Sequence, residues 1–228
     1  MSLRIPNSAV SRLQSYARTS RAIPVYPARR PRKLSTVQKQ QVKRLVKSGE
    51  ELLTWDVYAS ATSSSTGAFV DLTAMNDTQR DGVKIIPKSL EINWHSDSGD
   101  SFNICRCLLI QWHVDSAISQ PILSQIFDTT TSAYLPQNPL NAEKVNQKKF
   151  TVLYDRIYKV IQGTNTDPML GSIKVYNTAK KKRMRDIYFN DGAVTTGRNK
   201  LYLIVLSDST AAPNPSLNFT GHFKHYSP

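Results

Sequence analysis

The chain has 228 residues and a formal charge of +13, split so that residues 1–49 hold 12 basic side chains and no acid (+12) while residues 50–228 hold 18 basic and 17 acidic ones (+1). No stretch approaches the roughly 18 consecutive apolar residues of a membrane span, which argues against membrane insertion, and the charged N-terminus lacks the apolar run of a secretory signal. The two cysteines, Cys105 and Cys107, stand two apart, a spacing poorly suited to a disulfide, so a reducing compartment is expected.

Residues 1–34 carry Arg4, Arg12, Arg18, Arg21, Arg29, Arg30, Arg32 and Lys33, interrupted by Pro6, Pro24, Pro27 and Pro31. An acid-free, Pro-broken segment with so little apolar surface cannot offset its chain entropy, and a disordered basic arm is expected. Its charge points to a polyanion, most simply nucleic acid, with phosphates on the Arg and Lys side chains and Tyr16 or Tyr26 stacked on bases. Arg29-Arg30-Pro31-Arg32-Lys33 also has the composition of a nuclear localisation signal. The plainer alternative is a solvated cationic tail. After Ser35, a good N-cap, Val37, Val42, Leu45 and Val46 fall on one side of a helical wheel, bordered or opposed by Lys39, Lys43, Arg44 and Lys47. Gly49 closes the pattern, so a short basic amphipathic helix is expected over 35–50.

Residues 51–228 read as strands. Leu53, Trp55, Val57 and Ala59 alternate with Thr54, Asp56 and Tyr58, the period of a half-buried strand. Ser60–Gly67 reads as a small polar loop, Phe69, Val70 and Leu72 as a short extended piece, and Asp77–Gly82 as a polar turn. Residues 83–95 form a longer strand with Leu90, Ile92 and Trp94 on one face, and Pro87 predicts an edge or a bend there. Ser96–Ser101 carries a strong hairpin signal. The next strand, Phe102–Val114, is apolar on both faces and therefore central, with Trp112 in the core. Pro121 opens a short helical stretch through Phe127 with Ile122, Leu123, Ile126 and Phe127 as its apolar side. The polar stretch Asp128–Lys148, broken by Pro136 and Pro139, is too long for a routine connection. Phe150–Ile161 is another strand, and residues 172–177 and 184–189 look extended. Leu201–Leu206 is a strand buried on both faces, and Leu217, Phe219, Gly221 and Phe223 alternate toward the end. About eight strands with little helix favour an all-β, two-sheet antiparallel sandwich or barrel, either a jelly roll or an immunoglobulin-like sandwich.

No phosphate-cradling loop, H-E-x-x-H or G-x-S-x-G motif occurs, and no enzymatic activity or cofactor is expected. Cys105, Cys107 and His113 share a strand parity that could hold zinc, but buried cysteine is more often a small core residue. His222 and His225, three apart in an extended segment, fall on opposite faces. Asp97 and Asp100 could share a calcium ion or simply cap their turn. Lys180, Lys181, Lys182, Arg183 and Arg185 are the one concentrated charge of the body, either a second phosphate contact and localisation signal or a solvated loop.

The order of a basic Arg/Pro arm, a basic helix and a β body is joined by three segments: Thr78-Gln79-Arg80-Asp81-Gly82-Val83-Lys84-Ile85, Phe150-Thr151-Val152-Leu153-Tyr154-Asp155-Arg156-Ile157-Tyr158, and Asn199-Lys200-Leu201-Tyr202-Leu203-Ile204-Val205-Leu206-Ser207-Asp208. Together these resemble the capsid proteins of small circular, replication-initiator-encoding (CRESS-DNA, circovirus-like) single-stranded DNA viruses, and the related single jelly-roll coat proteins of plant satellite viruses. The resemblance implies a jelly roll of eight strands in two four-stranded sheets. It also implies a T=1 icosahedral shell of sixty copies, with the arm inside against single-stranded nucleic acid, DNA rather than RNA. A virion protein of this kind would assemble in the host nucleus and meet host import receptors. The loops Ser60–Gly67, Asp128–Lys148 and Thr210–Ser216 would then make subunit contacts and outer surface, with Tyr134, Leu135, Pro136 and Pro139 as interface residues, or else pack on their own chain. The alternatives are a non-viral nucleic-acid-binding β-sandwich with a basic tail, and a jelly-roll lectin or enzyme.

Overall fold

The structure, a computed structural model, describes residues 52–75, 80, 82–99, 101–128, 134–161, 169–190 and 195–227. The arm expected over 1–34 and the helix expected over 35–50 lie outside the described residues. The body contains β1 (Leu52–Thr62), β2 (Ala68–Asp71), β3 (Lys84–Asp97), β4 (Phe102–Trp112), β5 (Phe150–Ile161), β6 (Met169–Tyr176), β7 (Ile187–Phe189), β8 (Gly197–Arg198), β9 (Lys200–Ser207) and β10 (Ser216–Tyr226). Two four-residue helical turns, α1 (Leu123–Ile126) and α2 (Lys144–Gln147), lie between β4 and β5.

The strands form two antiparallel sheets, a β-sandwich. One runs β1-β10-β3, with β3 continuing to β6 over most of its length and to β7-β8 at its start; the other runs β2-β9-β4-β5. The pairings are nested: β1 meets β10, β2 meets β9, β3 meets β6 and β4 meets β5.

Period-2 alternation places the core. Leu90, Ile92 and Trp94 of β3, Leu217, Phe219 and Phe223 of β10, and Ile173 and Val175 of β6 face Cys105, Cys107 and Leu109 of β4 and Leu201, Leu203 and Val205 of β9. The other parity of β4 and β9 is apolar too. Leu108, Ile110, Trp112, Tyr202, Ile204 and Leu206 form a second cluster, roofed by Leu123, Ile126 and Phe127. The long β4–β5 connection is therefore a third layer over the smaller sheet, and it explains why both central strands are apolar on both faces. Trp112 lies fully buried in that cluster, stacked on Phe150 at 6.4 Å, with Nε1 donating to the Ser119 carbonyl at 2.8 Å. Trp112→Ala is expected to cost about 3–5 kcal/mol, read as a lowered urea midpoint; an unchanged midpoint contradicts its place in the core.

Several expectations are corrected. β1 runs on to Thr62, opposite Ser216, so the loop read at Ser60–Gly67 starts later; Ala61 points inward, but a lone alanine is a weak alternation signal. The Ser96–Ser101 turn does not close a hairpin, because β3 and β4 belong to different sheets. It is a corner, and a Cβ at Gly99 would collide with the backbone of Pro213 and Asn214 in a neighbouring loop. Of the edge or bend expected at Pro87, the edge is corrected and the bend agrees: Pro87 sits on an interior strand, at a bulge where Ser89 opposes Lys224 and Pro87 opposes His225. On its other side the β6 ladder begins at Ser89 and the β7 ladder ends at Ile85, so no partner needs the missing N–H. The helical stretch expected from Pro121 shrinks to α1, and Ile122 is extended and half exposed rather than on its apolar side. Extended structure expected over 184–189 is confined to β7. Asn177 Oδ1 accepts from the Arg183 and Met184 amides, and Gln111 Oε1 accepts from Arg185 N, so side chains take the place of a ladder there.

His225 is buried against Phe223, with rings stacked at 5.5 Å, and His113 is half-buried. Burial pushes both imidazoles below their ordinary proton affinity of 6.5. For His113, the hydrogen bond to Asn199 raises it and the Arg185 charge lowers it further. The unfolded chain then binds more protons than the folded one below about pH 6.5, so stability falls as pH drops through that value toward the folded pKa values. Unfolding in urea at pH 7 and pH 5.5 is expected to show this loss. His225→Phe, which keeps an aromatic ring beside Phe223, should flatten the profile by up to about 1.4 kcal/mol per pH unit. An equally steep profile in that variant would exclude His225 as its source.

Candidate nucleic-acid interface

Of the basic residues singled out by sequence, Arg4, Arg12, Arg18, Arg21, Arg29, Arg30, Arg32, Lys33, Lys39, Lys43, Arg44 and Lys47 lie outside the described residues. Lys180, Lys181, Lys182, Arg183 and Arg185 lie on the β6–β7 connection, all exposed. They are not equivalent. Lys182 Nζ sits 2.5 Å from Asp186 Oδ1, and Lys84 Nζ 3.3 Å from Asp186 Oδ2. Burial alone would raise the Asp186 carboxyl, but hydrogen bonds and charge from these two ammonium groups hold it below the usual range. Arg183 Nη2 donates to the Leu153 carbonyl at 3.0 Å, which ties the loop to β5. Met184, fully buried, anchors the loop beneath this exposed charge.

Arg185 belongs to a second feature, a cleft of about 760 Å³ at one end of the sandwich, also lined by His113, Asp115, Lys148, Lys149, Tyr188, Arg198 and Asn199. These residues arrive from five places in the chain: the end of β4, the start of β5, the β6–β7 connection, β7, and the β8–β9 junction. The floor is built by three polar side chains. Gln111, fully buried, donates through Nε2 to the carbonyls of Arg185 (2.9 Å) and Asn199 (2.8 Å) and accepts from Arg185 N (2.8 Å). Asn199 takes a left-handed backbone, φ 60°, uncommon outside glycine. Its Nδ2 donates to the Asp186 carbonyl at 2.7 Å, which leaves Oδ1 to accept from His113 Nδ1 at 2.9 Å. His113 Nε2 then accepts from the Thr151 hydroxyl at 2.8 Å, the neutral tautomer its lowered proton affinity favours.

Among the described residues no carboxylate pairs with Lys148, Lys149, Arg185 or Arg198. Asp115 Oδ1 already accepts from the Ala117 amide and Asn190 Nδ2. The lining thus carries four cationic side chains against one acid, a formal +3, while residues 50–228 total +1, so the rest of the body sums to −2. Lys148, Lys149, Tyr188 and Arg198 were missed in the sequence, where they fall in three separate segments.

The interface residues sit on the third layer. Tyr134 is half-buried against the second apolar cluster, Leu135 is half-buried, Pro136 is buried and Pro139 is exposed. Sequence reasoning also missed Arg106, the side chain that fastens this layer. Its guanidinium grips Asp155 with both ends (2.7 and 2.6 Å) and donates to the carbonyls of Pro136 (3.0 Å) and Asn138 (2.6 Å), 4.9 Å above the Phe127 ring.

The imagined cysteine–histidine zinc set is not assembled. Cys105 and Cys107 face the core between the sheets, while His113 is engaged with Asn199 and Thr151 beyond the end of β4. Burial, reinforced by the nearby Asp155 charge, pushes the Cys107 thiol up to about 12, which disfavours the thiolate a metal would need. Among the described residues no three His, Cys, Asp or Glu side chains gather as a metal site. Asp97 Oδ2 lies 3.2 Å from Asn218 Nδ2 and 3.4 Å from Ser216 Oγ; Asp100 lies outside the described residues. His222, exposed, pairs with Asp56 at 2.7 Å, on the opposite face from buried His225. No helix among the described residues is long and apolar enough to cross a membrane.

No family model matches the chain, and no curated protein matches it. Among solved structures the chain is similar to the structure of infectious bursal disease virus Gx strain, at 9% sequence identity and a TM-score of 0.27. The match covers 77% of this chain and 32% of that one, so the chain spans about a third of the neighbour's length, and a likeness at this score bears on neither fold nor function.

Proposed function

We propose that this protein is a viral capsid protein. In this reading its β body is a jelly roll that assembles with copies of itself into a small closed shell, and its N-terminal segment packages single-stranded nucleic acid without sequence preference. The observation that carries the reading is the separation of charge, +12 over residues 1–49 and +1 over the rest. A near-neutral domain can pack against its own copies without strong mutual repulsion, while the cationic segment neutralises phosphates.

The strand order supports the jelly roll. With the short β7–β8 hairpin set aside as an insertion, eight strands remain among the described residues, and first pairs with last, second with second-last, and so on to β4 with β5. That nesting is what one long antiparallel hairpin yields when rolled into two sheets, and jelly rolls of this kind serve as capsid and lectin domains. Sixty segments of +12 supply enough charge for about 700 phosphates if each cation meets one, a substantial share of a genome of about a thousand nucleotides. Circular single-stranded DNA, a T=1 shell and assembly in the host nucleus complete the proposal, with Tyr134, Leu135, Pro136 and Pro139 near subunit contacts and no catalytic role. Negative-stain electron microscopy of the purified full chain tests it. Closed particles of uniform diameter are expected; dispersed protein at every salt concentration, with or without added nucleic acid, would overturn the shell.

A further inference from the structure

The cleft at the end of the sandwich is unlike an incidental patch of surface lysines. Its floor is fixed by buried Gln111, by neutral His113 and by Asn199, whose side chain joins His113 to the Asp186 carbonyl. Above this floor the cationic side chains come from separate elements: Lys148 and Lys149 ahead of β5, Arg185 ahead of β7, and Arg198 on β8. The +3 excess is gathered in a body whose remainder is net negative. Tyr188, 43% exposed, adds an aromatic ring to the same lining.

We propose that this cleft is a second nucleic-acid site, in which Lys148, Lys149, Arg185 and Arg198 meet consecutive backbone phosphates of a single strand and Tyr188 stacks on one base. Cationic groups beside an aromatic platform are the combination by which single strands are held without base reading. A cleft of about 760 Å³ falls within the range that encloses a small ligand and can admit a nucleotide unit. The ring distinguishes this ligand from a sulfated polysaccharide, which offers charge without a flat apolar face. His113, uncharged, serves as scaffold rather than contact. The identity of the anion rests on the nucleic-acid reading proposed above; the site itself is independent of the N-terminal segment.

Fluorescence anisotropy with a labelled fifteen-nucleotide oligo(dT) tests the site in the full chain. The wild type is compared with a variant in which all 12 basic residues of the N-terminal segment are changed to Gln. The neutralised variant should bind more weakly but measurably. Adding Lys148→Ser and Arg198→Ser, both at exposed positions, should weaken that remaining binding about tenfold. It should also lower the slope of log affinity against log salt by about 1.4, at roughly 0.7 per phosphate lost. Tyr188→Ala should weaken it about tenfold, and Tyr188→Phe should restore it. Unchanged melting temperatures identify these as binding effects, and Lys148→Arg with Arg198→Lys should retain binding. If the wild type binds and the neutralised variant does so no better than its Lys148→Ser/Arg198→Ser derivative, the cleft proposal is overturned while the N-terminal segment keeps its role. If the wild type itself fails to bind, the nucleic-acid reading falls with it. If a heparin fragment binds as tightly as the oligonucleotide and Tyr188→Ala changes nothing, the cleft is a sulfate site and the proposal is wrong.

Discussion

Removal of residues 1–34 is expected to deplete the particles of nucleic acid while the β body keeps its melting temperature. The deleted segment holds 8 of the 12 basic residues that precede residue 50, so the proposed shell of sixty copies would lose on the order of 480 positive charges. The 4 that remain, Lys39, Lys43, Arg44 and Lys47, cannot replace them. The apolar clusters of the body draw on residues 57–223, none of them in the deleted segment, so folding should be spared. The measurement is the ratio of absorbance at 260 and 280 nm in purified particles, beside a thermal melt. A marked fall toward the ratio of protein alone is expected, with any remainder left to the four remaining cations and the cleft. Unchanged nucleic-acid content would place packaging elsewhere in the chain.

Arg106→Leu is expected to destabilise the body by about 3 kcal/mol, the lower end of the range for breaking a buried pair by removing one partner. The lower end applies because the Asp155 side chain keeps 30% of its exposure and can be rehydrated, whereas Arg106 is 6% exposed. The carbonyls of Pro136 and Asn138 lose their donor at the same time, so the third layer should loosen as well. For a domain of this size the loss corresponds to about 6–12 °C in melting temperature. Limited proteolysis should become faster within residues 128–149. An unshifted melting curve with unchanged cleavage would mean that the four contacts of this guanidinium contribute nothing net.

Much of the sandwich is legible in the sequence because alternation is a local signal. Leu53, Trp55 and Val57, or Leu217, Phe219 and Phe223, show their inward face without reference to any other strand. β4 and β9 announce themselves as central by being apolar on both sides, although the cover over their outer face, the Leu123–Phe127 turn, cannot be inferred from the strands. Local signals also mislead. A Ser-Asp-Ser-Gly-Asp-Ser turn has the same composition whether the chain pairs back or crosses to the other sheet, and only the packing of Gly99 against Pro213 distinguishes them. The cleft is invisible in sequence because the pairing of β4 with β9 brings Gln111 beside Leu201, 90 positions away. Arg106 is a lone charge inside an otherwise apolar strand, and a charge in that position must find acceptors, so it foretells a layer that supplies them.

Sedimentation of the purified full chain with detection at 260 and 280 nm tests the central claim most directly, because one boundary reports mass and composition together. A shell of sixty 25.6 kDa chains has a protein mass on the order of 1.5 MDa, since closed assemblies use fixed symmetry. A single boundary at that mass or above, carrying nucleic-acid absorbance, is the predicted result. Protein below about 100 kDa at all salt concentrations, with the 260 nm signal in a separate boundary, would contradict it.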